Sequence, residues 1–228
     1  FLACLIYILN IAAATINVTA CGNLAIPNER YVLMNSIAGI TGTSCFSISA
    51  ENVILDCAGN GLYANNATNT YGVHSNQFNT TVKNCIFSEF VKGVYFNRSS
   101  NGTIQNVTAI TTSSAGYAIF LYLGSSNTII NSNATSNAGP AIYLDSSSNN
   151  TIINSTGTTI TSYAIVISGS NAKNTIINSI GNSTAQGYGI YITSSSNNTI
   201  INALGPSSSN YGIVLGSSTS NTVLNSSG

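Results

Sequence analysis

Gly189-Ile190-Tyr191-Ile192-Thr193-Ser194-Ser195-Ser196-Asn197-Asn198-Thr199-Ile200-Ile201-Asn202-Ala203-Leu204 decides the fold, because near-copies of it recur along the chain. The same frame opens at Gly72, Gly93, Ala118, Ala141, Ala164, Gly189 and Gly212, in steps of 21, 25, 23, 23, 25 and 23 residues. Its second half returns as Thr128-Ile129-Ile130-Asn131, Thr151-Ile152-Ile153-Asn154, Thr175-Ile176-Ile177-Asn178 and Thr222-Val223-Leu224-Asn225. A fixed period of about 20 to 50 residues marks a stacked repeat, in which no unit buries its apolar face alone.

Each unit holds short runs that alternate apolar with other residues, which is strand periodicity and not helical. In the first run, position two is Val73, Val94, Ile119, Ile142, Ile165, Ile190 or Ile213. From Gly93 onward, position four is Phe96, Leu121, Leu144, Ile167, Ile192 or Leu215. A period of two sends both positions to one face, the interior. About 23 residues per unit leaves room for three short strands and three turns, so the sequence predicts an all-β parallel β-helix of about eight turns. With turns about 4.8 Å apart, the rod is about 40 Å long.

The Asn closing the second run repeats as Asn84, Asn106, Asn131, Asn154, Asn178, Asn202 and Asn225. Asn tolerates the left-handed backbone of a sharp corner, and its amide can bond to the same amide in the next turn. These residues therefore read as a structural ladder. Tyr71, Tyr117, Tyr163, Tyr188 and Tyr211, each preceding the frame's Gly or Ala, suggest a second stacked corner.

The units G-x-x-x-(S/T/N-rich)-N-T-I-x-N resemble the repeats of right-handed parallel β-helix proteins, over roughly Val18 to Gly228. That superfamily includes pectate lyase-like enzymes, carbohydrate-binding surface proteins and the periplasmic β-helix protein of nitrous oxide reductase maturation. Thr19-Ala20-Cys21-Gly22, with Val53-Ile54-Leu55-Asp56-Cys57-Ala58-Gly59, resembles the start of secreted β-helix proteins from prokaryotic surfaces. The resemblance implies a right-handed coil. It is weaker for function, since one fold hosts many activities.

Composition narrows the classes. Only 4% of the 228 residues are charged, and five basic residues cancel five acidic ones. Such a chain has no field to attract nucleic acid or an acidic membrane. At 43% hydrophobic it is too apolar to be disordered. In β-helix lyases and hydrolases, the resemblance implies, several Asp cluster on one outer face with an Arg or Lys nearby, to bind calcium or act as an acid/base pair. Here the acids are Glu29, Glu51, Asp56, Glu89 and Asp145, none of them paired in the repeat frame. Glu89 with Lys92 and Arg98 reads as a solvated salt-bridge edge. His74, the lone histidine, lies on an outward position without the companions of a metal site. The expectation is a chain without catalytic residues, cofactor or metal.

Phe1 to Ala14 is an apolar segment, either the remnant of a secretory signal or a retained arm that caps the stack, and is too short to cross a bilayer as a helix. Residues 15–71 read as irregular first turns and 72–228 as the regular array. No polar cap follows the last unit, so either the chain is cut from a longer one or another subunit covers that end. Cys21 and Cys45 are 24 residues apart; Cys57 and Cys85 are 28 apart and share a frame position. Stacked turns bring such positions within disulfide range, so Cys21–Cys45 and Cys57–Cys85 are the expected pairs, with buried free thiols the alternative. Disulfides imply an oxidising, extracytoplasmic setting. Cys4 is left over and could link two chains.

The outward positions carry the functional reading. The first run presents His74, Tyr95, Phe120, Tyr143, Val166, Tyr191 and Val214, and the second presents Ile130, Ile153, Ile177, Ile201 and Leu224. Apolar outer stripes mark contact surfaces. The leading expectation is a non-enzymatic structural subunit of an extracellular filament, layer or adhesin, touching copies of itself end to end or laterally. The rival is a carbohydrate-binding or carbohydrate-cleaving module, since aromatic stripes also stack on sugar rings. Among the Asn-x-Ser/Thr sequons, Asn101, Asn149 and Asn197 lie in Ser/Asn-rich turns and are candidate glycosylation sites.

Overall fold

In the computed structural model, residues 15–169, 173–208 and 210–228 are described, and their named strands fall into three parallel sheets of ten, seven and nine strands. A complete coil visits the three in turn, as in Thr128–Ile130, Asn133–Ser136 and Ile142–Asp145. Each strand then pairs with its counterpart one coil away. Thr128, for example, lies between Thr103 and Thr151, and Tyr143 between Phe120 and Val166. The expected three-strand β-helix is the observed one.

Residues 15–71 belong to the same stack, for Arg30–Leu33 pairs with both Thr15–Val18 and Ile54–Asp56. Their irregularity is local, a register shift between Ile37 and Ile40. The apolar segment 1–14, with Cys4, lies outside the described residues.

Like side chains form inward columns. Ile104, Ile129, Ile152, Ile176 and Ile200 run up the ten-stranded sheet, and the predicted positions two and four of the frame line the nine-stranded one. Burying each Ile contributes about 1.5–3 kcal/mol, so no single coil carries the stability. Leu215 departs from this reading: in the last coil it is 42% exposed. In the seven-stranded sheet the inward column shrinks from Phe87 through Ala109 and Ala134 to Gly157 and Gly181. The last of these has to be glycine, because a Cβ on Gly181 would lie 2.2 Å from the Gly189 carbonyl oxygen.

The corner asparagines Asn84, Asn106, Asn131, Asn154, Asn178, Asn202 and Asn225 all take positive φ, between 47° and 55°, as their residue type predicts. Their amides form rungs, Asn106 donating to Asn84 at 3.1 Å, Asn154 to Asn131 at 3.4 Å and Asn202 to Asn178 at 3.3 Å. This ladder runs along the solvent side of the corner. A second ladder is buried and was not read from the sequence: Asn127, Asn150, Asn174 and Asn198, with Asn221 at its end. In each rung the upper Asn accepts with Oδ1 from both the backbone N–H and the side-chain amide below, as Asn150 does from Asn127 at 2.8 and 3.1 Å. The five residues are the first Asn of the N-T-I-x-N motif, so the signal was present.

One coil below Asn84, Asp56 lies in register with Lys83, one residue short of the Asn column, and its side chain still ends the ladder. It is buried and receives Arg30 at 2.8 Å, Lys83 at 3.4 Å and Asn84 at 2.9 Å. Burial alone would raise this carboxyl. The hydrogen bonds from Arg30, Asn84 and the Ala58 N–H, with the charge of Lys83, outweigh it and hold the group at about 2. The folded value lies below the unfolded one, so this stabilisation is present at neutral pH and is lost as the pH falls from about 4 to about 2. It amounts to about 2 kcal/mol. Melting curves between pH 5 and 2 should show that loss in the native chain and a flatter profile in Asp56→Asn; parallel profiles would contradict it.

Both expected disulfides are present, with Cα–Cα distances of 4.5 Å for Cys21–Cys45 and 4.8 Å for Cys57–Cys85. Each ties a coil to its neighbour, and together they mark the chain as one made for an oxidising compartment.

Candidate functional site

The outer face of the nine-stranded sheet gathers most of the chain's aromatic residues. Its central column, in strict register, is His74, Tyr95, Phe120, Tyr143, Val166, Tyr191 and Val214. Beside it run Tyr71, Lys92, Tyr117, Pro140, Tyr163, Tyr188 and Tyr211, at the corner where each coil enters the sheet. On the other flank, Tyr122, Asp145, Ser168 and Thr193 end successive strands. The parallel spacing of about 4.8 Å matches ring stacking distances, so like positions pile up. Tyr95, Phe120 and Tyr143 stack with centroids 5.2 Å apart, and Tyr163 stacks on Tyr188 at 5.0 Å.

The predicted stripes are therefore real columns, but they are not free apolar surface. Phe120 and Val166 are buried among the neighbouring rings, and Tyr95, Tyr143 and Tyr191 are half-buried. On the ten-stranded sheet Ile130, Ile153, Ile177 and Ile201 are likewise half-buried; only Leu224, in the last coil, is exposed. The two corner positions of the aromatic columns were read as separate features, and the coil merges them into one platform.

Lys92 corrects another expectation. It does not pair with Glu89, whose carboxylate instead receives Asn66 and Thr112. Glu89 sits on the corner before the strand Lys92–Asn97, which turns Lys92 onto the aromatic face. Its Nζ lies 4.8 Å from the Tyr71 ring centre and 4.9 Å from that of Tyr95, with Tyr117 and Phe120 slightly farther. Burial lowers the Lys92 ammonium, and burial with the charge of Lys92 lowers His74 below the usual imidazole range.

Between Tyr143 and Tyr191 the column is interrupted by Val166, and between Tyr117 and Tyr163 by Pro140. A depression of about 320 Å³ opens there, lined by those four tyrosines with Ser162, Ser168 and Thr193. At its edge the Tyr143 hydroxyl and Ser168 Oγ are 2.9 Å apart, and Ser168 donates to Asp145 Oδ1 at 3.4 Å. Burial raises the Tyr143 phenol and the hydrogen bond with Ser168 partly offsets that, so the group stays protonated at neutral pH. Asp145 is the single carboxylate on the strands of this sheet among the described residues. The face thus combines ring surface with a short chain of proton-bearing groups. Asn101, Asn149 and Asn197 stand elsewhere, exposed and with positive φ on the turns leading from this sheet to the ten-stranded one.

Three parallel sheets, one per side of a single coiling chain, define a parallel β-helix, here with an aromatic outer face. Residues 71–227 match the family described as a right-handed beta helix region, and the chain belongs to it. A comparison with curated proteins finds no match. Among solved structures, the chain is similar to the enzymatically active domain of tailspike protein 2 from bacteriophage CBA120. The identity is 14% and the TM-score 0.57, over 90% of this chain and 41% of that one. It is also similar to DFA-IIIase from Arthrobacter chlorophenolicus A6 in complex with GF2, at 9% identity and TM-score 0.55, over 84% of this chain and 77% of that one. The chain thus spans about two-fifths of the tailspike chain, and at such identities the likeness concerns the fold.

These findings correct the expectation of a non-enzymatic structural subunit. The solved coils it resembles are an enzymatically active tailspike domain and DFA-IIIase. The stripes themselves are less open than the alternation suggests, with Phe120 and Val166 buried and the other rings and the Ile column half-buried.

Proposed function

We propose that the chain is an extracellular, carbohydrate-active β-helix module that holds a glycan along the outer face of its nine-stranded sheet. The aromatic platform from Tyr71 to Tyr191, broken at Val166 and Pro140, carries this reading. The C–H faces of sugar rings pack on aromatic rings as apolar surface, while their hydroxyls need the polar groups that flank the platform. Two of the proteins with this fold, a tailspike domain and DFA-IIIase bound to GF2, support it by analogy. Asp145, joined through Ser168 to Tyr143, is the group to exchange a proton with a bound sugar.

A panel of immobilised polysaccharides and soluble oligosaccharides tests this. The native chain should retain at least one glycan and release new ends from it. Tyr143→Ala should weaken retention about 10-fold or more, and Asp145→Asn should slow release about 100-fold with retention kept. Failure of the native chain to bind any glycan would overturn the proposal.

A further inference from the structure

We infer that the gap at Val166 is a subsite for one neutral pyranose ring, which takes the place of the missing rung in the aromatic ladder; this rests on the glycan reading above. The central column is stacked up to Tyr143 and resumes at Tyr191, with Val166 between. The backbones at Tyr143 and Tyr191 are therefore two coil spacings apart, about 9.6 Å. The side chains lean toward the coil between them, the Tyr143 hydroxyl to Ser168 at 2.9 Å and the Tyr191 ring to Tyr163 at 4.8 Å. Beside Val166, Pro140, the neighbouring residue without an aromatic ring, opens the face into the depression of about 320 Å³, which has room for a single sugar ring.

The walls and rim define which ring. Tyr143 and Tyr191 offer ring surface on either side of the buried Val166. Along the rim stand Ser168, held by the Tyr143 hydroxyl at 2.9 Å, the Asp145 carboxylate behind it, and Thr193. Such a rim donates and accepts hydrogen bonds in the ring plane, which suits an edge studded with hydroxyls and not a bare aromatic ligand. The charge on the rim is negative, from Asp145, while the cation of this face, Lys92, lies at the other end against Tyr71 and Tyr95. A carboxylated or sulfated sugar would meet repulsion here, so the unit is neutral.

Filling the gap is the test. Val166→Tyr continues a column that already takes Tyr at the equivalent positions one coil below and above, so its melting temperature should stay near that of the native chain. Calorimetric titration would use short neutral gluco-, manno-, galacto- and fructo-oligosaccharides, with oligogalacturonate as the anionic arm. The native chain should bind a neutral member, Val166→Tyr should bind it at least 10-fold more weakly, and Ser168→Val, which leaves the gap open, about 5-fold more weakly. Native-like affinity in both variants, with loss in Tyr95→Ala, would overturn the subsite and leave the glycan reading intact. Preference of the native chain for oligogalacturonate would overturn the neutral assignment. Absence of binding to the whole panel would count against the glycan reading itself.

Discussion

Asn150→Ala should destabilise its stretch of the coil by about 3–5 kcal/mol, more than any single change at the visible corner ladder. Asn150 is 1% exposed, and its Oδ1 accepts from the Asn127 backbone N–H and side-chain amide. Its own amide donates to Gly124 O and Asn174 Oδ1. Removing the side chain strands the Asn127 backbone N–H and one of its amide hydrogens, the other keeping Ser99 O at 2.9 Å. Each unsatisfied buried donor costs about 1–3 kcal/mol. The acceptors suffer less, because Gly124 O keeps the Ser148 N–H and Asn174 Oδ1 keeps the Asn150 backbone N–H. Asn131→Ala is the contrast: it loses an exposed rung and puts alanine at φ 50°, which costs about 1–2 kcal/mol. Because stacked coils need not unfold in one step, hydrogen exchange is the right readout. Exchange at Asn127 should speed up about 100-fold or more in Asn150→Ala, and about 10-fold or less in Asn131→Ala. Equal effects would show that the buried ladder is not the main polar support.

Opening both disulfides should have the other large effect, confined to the first coils. Cys21–Cys45 closes 24 residues and Cys57–Cys85 closes 28. Constraining loops of that size contributes about 3–4 kcal/mol each through the unfolded chain. In a solenoid each coil touches only its neighbours, so the loss should not travel far. With all four cysteines replaced by serine, limited proteolysis should cut between Thr15 and Cys85 while the coils from Tyr117 onward stay protected. Uniform digestion of the whole rod would contradict this nearest-neighbour picture.

Much of this molecule was legible because its repeat is written in spacing. Val94, Ile119 and Ile142 alternate with polar or aromatic partners, and period two gave their inward direction without any knowledge of the third dimension. Asn131 and Asn154 announced corners because few other residues accept a left-handed backbone. The Cys pairs followed from one coil rise. Less visible was which of two Asn columns is buried, since Asn127 and Asn131 have the same chemistry and differ only in the end of the strand Thr128–Ile130 that they flank. The outer face is hard to read from the sequence for a related reason. Tyr143 and Ile153 both alternate outward, and the pattern alone does not say that the first joins a ring platform with Tyr117. Nor does the sequence reveal that Lys92 leaves Glu89 for four aromatic rings, a consequence of the corner between them. Val166 read as one more apolar stripe residue, and only the stacked column makes its small size a gap.

Hydroxyl-radical footprinting, with and without the glycan that the panel identifies, tests the aromatic face most directly. The chain has twelve tyrosines and no tryptophan, so oxidation reports mainly on tyrosine. Tyr63, 38% exposed on the seven-stranded sheet, is a built-in control. The glycan should protect Tyr95, Tyr143, Tyr163 and Tyr191 and leave Tyr63 unchanged. Protection of Tyr63, with the four others oxidised as before, would move the site to another side of the coil and contradict the account.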